Sequence, residues 1–209
     1  MIDLLDEILR TRRVVTASGD AVKVHSSIGR ESGLFLPKIV ADIQARETLE
    51  VGLAYGLSAL FVCDALRRNG GRRHVAIDPF QSSEWLGIGI ENVRRAGFDD
   101  LLEFHERPSY QVLPELQQHG RTIDFALIDG FTTFDYKLVD AFLVDKVLSV
   151  GGVMVIRTGN MIPARKVCAF IESNWSYSRS AICAEPSDEL IALRKTGHDE
   201  RSWKHHADF

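Results

Sequence analysis

The sequence predicts an α/β fold centred on a doubly wound, mostly parallel sheet of seven strands. Three observations carry this expectation. Five short runs rich in Val, Ile, Leu or Phe recur at the spacing of strand–helix–strand units. The helical patterns between them each end at or near a glycine, the usual punctuation of a helix C-terminus. The chain then closes on two more strand-like runs joined by a turn-forming tetrapeptide.

Taken in order, residues 1–46 predict a helical cap with a loop around His25-Ser26-Ser27-Ile28-Gly29 that covers the open edge of the sheet. The first nine residues are acidic and amphipathic, unlike a signal peptide. The core spans residues 47–196. Its five parallel strands are expected at 48–51, 74–78, 102–106, 123–129 and 152–157, apolar enough to be covered on both faces. Helices are expected at 58–68, 84–96, 110–119 and 137–148. Runs 180–185 and 190–195, joined by Pro186-Ser187-Asp188-Glu189, predict an antiparallel hairpin at the C-terminal side of the sheet. A polar tail, 197–209, is expected to fray. All 209 residues form a single domain in this reading.

Composition excludes several classes. With 45% apolar and 26% charged residues the chain is an ordinary globular sequence. A net charge of -4 leaves no basic footprint for nucleic acid, and the short arginine clusters fit solvated helix ends. No apolar run approaches the ~20 residues of a membrane span. Three cysteines without a CxxC pair fit a reduced, cytoplasmic protein.

One stretch carries most of the chemistry. In Glu50-Val51-Gly52-Leu53-Ala54-Tyr55-Gly56-Leu57-Ser58, a strand ends in an acid, two glycines follow and a helix opens. Glycine lets backbone turn sharply and approach a ligand closely. A second strand ends in Asp78, placed to accept hydrogen bonds from ribose hydroxyls. Together they describe a site for an adenine-containing cofactor.

The ordered set Glu50-x-Gly52-x-x-x-Gly56-x-Ser58, Ile77-Asp78-Pro79, Ile128-Asp129-Gly130, Leu148-x-x-Gly151-Gly152 and the terminal hairpin resembles a class I S-adenosylmethionine-dependent methyltransferase. The likeness covers residues 25–195 and is nearest to the small-molecule O-methyltransferase-like branch. It implies a Rossmann-like fold and S-adenosyl-L-methionine as cofactor. By that resemblance the backbone of Gly52, Ala54, Tyr55 and Gly56 cradles the methionine part, and Glu50 contacts its amino group. Ser58 reaches the carboxylate, Asp78 the ribose, Pro79 and Phe80 the ribose and adenine, and Pro108 and Ser109 the adenine. Asp129 sits beside the sulfonium and a small-molecule acceptor.

The acceptor half departs from the branch. Relatives often carry Asp-Gly-x-His-x-Phe-Asp where this chain has Asp129-Gly130-Phe131-Thr132-Thr133-Phe134-Asp135, so Thr132 replaces an imidazole base. Metal-dependent relatives use Asp129 and an acidic pair that here falls on Arg157-Thr158, which disfavours a metal, although Asn160 lies close in sequence. Asp129, Arg157 and Asp135 are left as the catalytic candidates, with Tyr136 nearby. Arg157 can clamp an acidic acceptor or pair with Asp129 and silence the site. The expected activity is metal-independent methyl transfer, at oxygen, to a small molecule. A cofactor-binding protein that no longer methylates, and a nicotinamide-dependent oxidoreductase, are the alternatives. The resemblance leaves a homodimer open.

Overall fold

The computed structural model describes residues 3–183 and 188–209. Helix α1 (Asp3–Thr11) buries Leu5 and Ile8 and leads into a short antiparallel ribbon, β1 (Arg13–Val15) and β2 (Ala21–Lys23). After α2 (Arg30–Asp42) the alternation starts with β3 (Glu47–Val51), α3 (Leu57–Arg68), β4 (Arg73–Ile77), α4 (Ile88–Arg95), β5 (Leu102–His105) and α5 (Ser109–Gln118). It continues through β6 (Ile123–Ile128), α6 (Phe134–Val147), β7 (Leu148–Arg157), α7 (Ile162–Asn174), β8 (Tyr177–Cys183) and β9 (Leu190–Lys195).

The seven-stranded sheet runs β5-β4-β3-β6-β7-β9-β8. Only β9 runs against its neighbours, so the expected hairpin places its antiparallel strand inside the sheet. The chain winds outward from β3 to β5, then returns to β6 on the other side of β3. Ligands of open α/β sheets bind at such a reversal, beyond the carboxyl ends of the strands.

Register sets what gathers there. Val51 lies level with Ile77 of β4 and Ile128 of β6, and Ile128 lies level with Ile156 of β7. The next residue on each strand, Gly52, Asp78, Asp129 and Arg157, therefore stands in one row along the carboxyl rim. The row is laced by Gly52 N–H to Ile77 O at 2.8 Å, Asp129 N–H to Val51 O at 2.9 Å, and Asp78 N–H to His105 O at 3.1 Å. Side chains alternate below it. Leu49, Val51, Val75 and Ile77 join a core with Leu113, Val144 and Ile171, while Ala76, Phe125, Val153 and Val155 face the other way, with Leu36, Phe61 and Leu66.

Five features differ from the sequence expectation. The β1–β2 ribbon was not anticipated; its strands are three residues each, too short to show a period. Helix α7 was not anticipated either, although Pro163 near its first position is a fitting start signal. Helix α4 starts at Ile88 rather than at 84, because residues 79–87 form turns. There the Asp78 carboxylate holds Phe80 N–H at 2.9 Å, and Leu86 and Gly87 take positive φ values of 54° and 69°. The tail returns to the body: Asn174 exchanges two hydrogen bonds of 3.0 Å with the backbone of Ala207, and Phe209 meets Phe170 edge-on. Strand β8 begins at Tyr177, earlier than expected, and the first half of the predicted turn lies outside the described residues.

Candidate active site

The glycine-rich turn after β3 has no room for larger residues at its first glycine. Gly52 adopts φ +93°, a left-handed conformation, and a Cβ there would stand 2.7 Å from the Asp129 carbonyl oxygen. Gly56, at φ +79°, opens α3 with its missing Cβ against the backbone of Gly89. Asp78 braces this turn from β4. Its Oδ2 accepts from Leu53 N–H at 3.1 Å, Ala54 N–H at 2.8 Å and the Gln81 amide at 3.3 Å. Its Oδ1 accepts only from Phe80 N–H among the described residues, so lone-pair capacity is left for a hydroxyl from a ligand.

Glu50 takes a different position from the one the resemblance implied. It shares the face of Thr48 and His74, is fully buried, and does not line the cavity. Ser58 donates to Glu50 Oε2 at 2.7 Å, the Glu50 Oε1 lies 3.2 Å from His74 Nε2, and His74 Nδ1 meets the Thr48 hydroxyl at 2.9 Å. The Oε1–Nε2 approach has an ion pair's distance without a hydrogen bond's alignment. Glu50 thus anchors the first turn of α3 from beneath. Ser58 does reach the cavity, with its proton directed to Glu50.

Asp129 follows β6 and sits among charges. Arg157 Nη1 lies 3.2 Å from its Oδ2, Arg157 Nη2 donates to Ser27 O at 3.2 Å, and Arg157 Nε lies 2.6 Å from Asp188 Oδ1. Asp188 Oδ2 in turn accepts from Gly29 N–H at 2.6 Å. Arg157 therefore joins the end of β7, the loop before β9 and the loop before α2. Of its two roles open from sequence, the guanidinium is engaged in the pairing with Asp129. Burial raises the Asp129 carboxyl above the usual carboxylate range, and nearby Arg157 and Lys137 offset only part of that.

Behind Asp129, Lys137 is fully buried and donates to Ile128 O at 3.0 Å. Burial lowers its pKa, against the pull of Asp129 and Asp140. Asp140, also raised by burial, accepts from Ser109 at 2.5 Å and ties α6 to the start of α5. Sequence reading singled out neither Lys137 nor Asp140, nor Asp188 or His74. Lys137 and Asp140 sit three apart on α6, but that helix also carries Asp135, Asp145 and Lys146, so the sequence held no signal that set the pair apart.

These groups border one cavity of about 580 Å³, within the usual range for small-molecule sites. It starts at Gly52, Leu53, Ala54, Tyr55 and Ser58, passes Asp78, Pro79, Phe80, Pro108 and Ser109, and continues beyond Asp129 to Phe131, Thr132, Tyr136 and Arg157. Trp85 and Ser26–Ile28 close it on the cap side, where His25 stacks on Trp85 at 5.5 Å. Besides Glu50, two expected residues are not on its wall. Gly56 acts through the backbone at the head of α3. Asp135 is exposed in the first turn of α6, where bonds from the Thr133 hydroxyl and the Tyr136 backbone keep its pKa low. Among the described residues no three His, Cys, Asp or Glu side chains are grouped to hold a metal ion.

The donor half suits S-adenosylmethionine: backbone at Gly52–Tyr55 borders the cavity, Asp78 keeps acceptor capacity, and Phe80 offers an apolar face. Known proteins agree with this geometry. A caffeoyl-CoA O-methyltransferase of Arabidopsis thaliana is 26% identical over 180 residues, 78% of this chain and 65% of its own length. The chain thus spans about two thirds of that relative. An O-methyltransferase of Bacillus cereus, solved in complex with SAH, superposes with a TM-score of 0.71 at 20% identity, over 92% of this chain and 90% of its own. A second, from Streptomyces achromogenes, involved in tomaymycin synthesis and solved with SAM, gives 0.69 at 20% identity over 82% of each chain. The family described as a methyltransferase domain matches residues 49–156, from the middle of β3 to the end of β7. The chain belongs to that methyltransferase-domain family, with the Rossmann-like fold and S-adenosylmethionine dependence of class I.

Proposed function

We propose that this protein transfers a methyl group from S-adenosylmethionine to an oxygen of a small-molecule acceptor, without a divalent metal. One observation carries the reading: a single cavity runs from the Gly52–Asp78 rim past Asp129 to a wall formed by Phe131 and Tyr136. When bound, S-adenosylmethionine supplies an activated methyl group on its sulfonium.

The protein's own part is positioning and proton handling. The turn from Gly52 to Tyr55 and the Asp78 carboxylate hold the donor half. Asp129 faces the acceptor chamber, and its raised pKa brings it nearer to neutral pH than an ordinary carboxylate, which suits a proton acceptor for a hydroxyl. Arg157 and Ser27 O fix where that carboxylate points. The guanidinium 3.2 Å from Asp129 places a permanent cation where a metal ligand set would need an anion, which supports metal independence.

The test starts with calorimetric titration of S-adenosylhomocysteine and then NAD. Tight binding of the thioether with none of NAD is the expected result; the reverse sinks the proposal. Turnover measured with and without a chelator then decides the metal question, since activity lost to chelator and restored by Mg²⁺ contradicts it. Pairing of Arg157 with Asp129 also favours the second reading, a binding protein that no longer methylates. Tight thioether binding with no methyl transfer across a broad panel of hydroxylated acceptors selects it. Three free cysteines support a reducing, cytoplasmic setting, and no helix among the described residues is long and apolar enough to cross a membrane.

A further inference from the structure

Among the described residues, the charged ones on the cavity wall are Asp78, Asp129, Asp140 and Arg157, three acids and one base. The one base is committed. Its Nη1 faces both oxygens of Asp129, its Nη2 donates to Ser27 O, and its Nε faces Asp188. Lys137 points its ammonium at Ile128 O behind the wall and is fully buried. Among the described residues a negative group entering here meets no free cation, and any wall acid that is ionised repels it. It would also lose its hydration, at a cost that grows with burial.

The same chamber offers an aromatic wall whose rings are set at angles to one another. Phe131 meets Phe80 edge-on at 5.7 Å and Tyr136 at 4.7 Å, and all three rings line the cavity. They are exposed by 48%, 39% and 39%, large apolar surfaces that a ring-shaped guest would cover. A positive group on that guest would find ring faces and carboxylates together.

We propose that the acceptor of this site is a flat, hydroxylated ring compound that carries no negative charge, seated on Phe131 and Tyr136. It rests on the methyl-transfer reading above and reverses the simplest expectation from an arginine in an active site. Arg157 is not an anchor for the acceptor's charge; it is a positioning residue for Asp129, and the wall it belongs to selects against carboxylates and phosphates.

The experiment uses three ring-matched probes on the full protein saturated with S-adenosylhomocysteine: protocatechuate (negative), its methyl ester (neutral) and the corresponding dihydroxybenzylamine (positive). By calorimetry the ester and the amine are expected to bind at least about tenfold more tightly than the carboxylate, since like charges brought together across an interface cost several kcal/mol. In Phe131→Ala affinity for the ester and the amine falls, and in Asp140→Asn the gap between ester and carboxylate narrows. Carboxylate binding as tight as the ester overturns the charge selection. Binding of none of the probes, or an unchanged ester affinity in Phe131→Ala, overturns the ring seat. Failure to take up S-adenosylhomocysteine, seen before any probe is added, sinks the underlying methyl-transfer reading instead.

Discussion

Asp188, in the loop before the last strand, accepts a hydrogen bond of 2.6 Å from the backbone N–H of Gly29, a residue 159 positions earlier at the N-cap of α2. The same carboxylate faces Arg157 Nε, so one side chain closes the cap over the acceptor chamber and steadies the cation beside Asp129.

Replacing Asp188 by Ala is expected to free that link. The lost cap bond should cost about 1–2 kcal/mol. Amide hydrogen exchange at Gly29 and through the first turn of α2 should rise, and the acceptor KM should rise several-fold while affinity for S-adenosylhomocysteine holds. A fall in cofactor affinity with unchanged exchange in α2 would place the role of Asp188 elsewhere.

At Gly52 the added methyl group of alanine meets the Asp129 carbonyl oxygen at 2.7 Å in a left-handed backbone. Strain of this kind costs about 1–3 kcal/mol. The turn must shift to relieve it, so the Gly52→Ala protein should lose at least about tenfold in S-adenosylhomocysteine affinity by calorimetry. Wild-type affinity in a folded variant would show that the turn is not the donor cradle.

Asp129 gives a pH signature. Its folded pKa is raised, chiefly by burial, so its protonated form is favoured in the native state. The stability it contributes is full below the ordinary carboxylate pKa of about 4 and is lost as pH rises through the folded value. Relative to wild type, the Asp129→Asn protein should therefore gain melting temperature as pH increases from 4 towards 7. A difference that shrinks over that range would mean the carboxylate is ionised more easily in the fold than in the unfolded chain.

Cysteine accessibility is a simpler check. Burial pushes the Cys168 thiol up to about 12 and holds the Cys63 thiol well above its usual range, whereas Cys183 is half-buried at the end of β8. A thiolate is the reactive form. Mass spectrometry after brief alkylation should find label at Cys183 alone in native protein and at all three sites in denaturant. Native labelling of Cys63 or Cys168 would show that the core opens.

Much of this architecture was legible in the sequence because period and punctuation agreed. Strands β3 to β7 and the final hairpin each combine apolar runs with turn residues, and the Gly52–Gly56 turn, Asp78 and Asp129 follow from the strand ends. What escaped was set by contacts distant in sequence. Asp188 and Arg157 meet only when the sheet closes. Helix α4 yields four residues at its start to bonds made by Asp78. Glu50 lies deeper than its motif suggested: with Thr48 it shares the face opposite Leu49 and Val51, where it meets His74 and Ser58. Lys137, the deepest charge of the site, looked like an ordinary surface lysine.

Strand β9 carries a consequence for how the protein is made. It lies between β7 and β8, and it is the last strand to leave the ribosome. Until Leu190–Lys195 emerge, β7 presents an unpaired edge of backbone N–H and C=O groups and β8 has no neighbour. Strands β3 to β7 can pair as they are synthesised, but β8 and the outer edge of β7 wait for β9. Translation that stalls short of it would leave a nascent domain complete in its donor half and sticky along one margin.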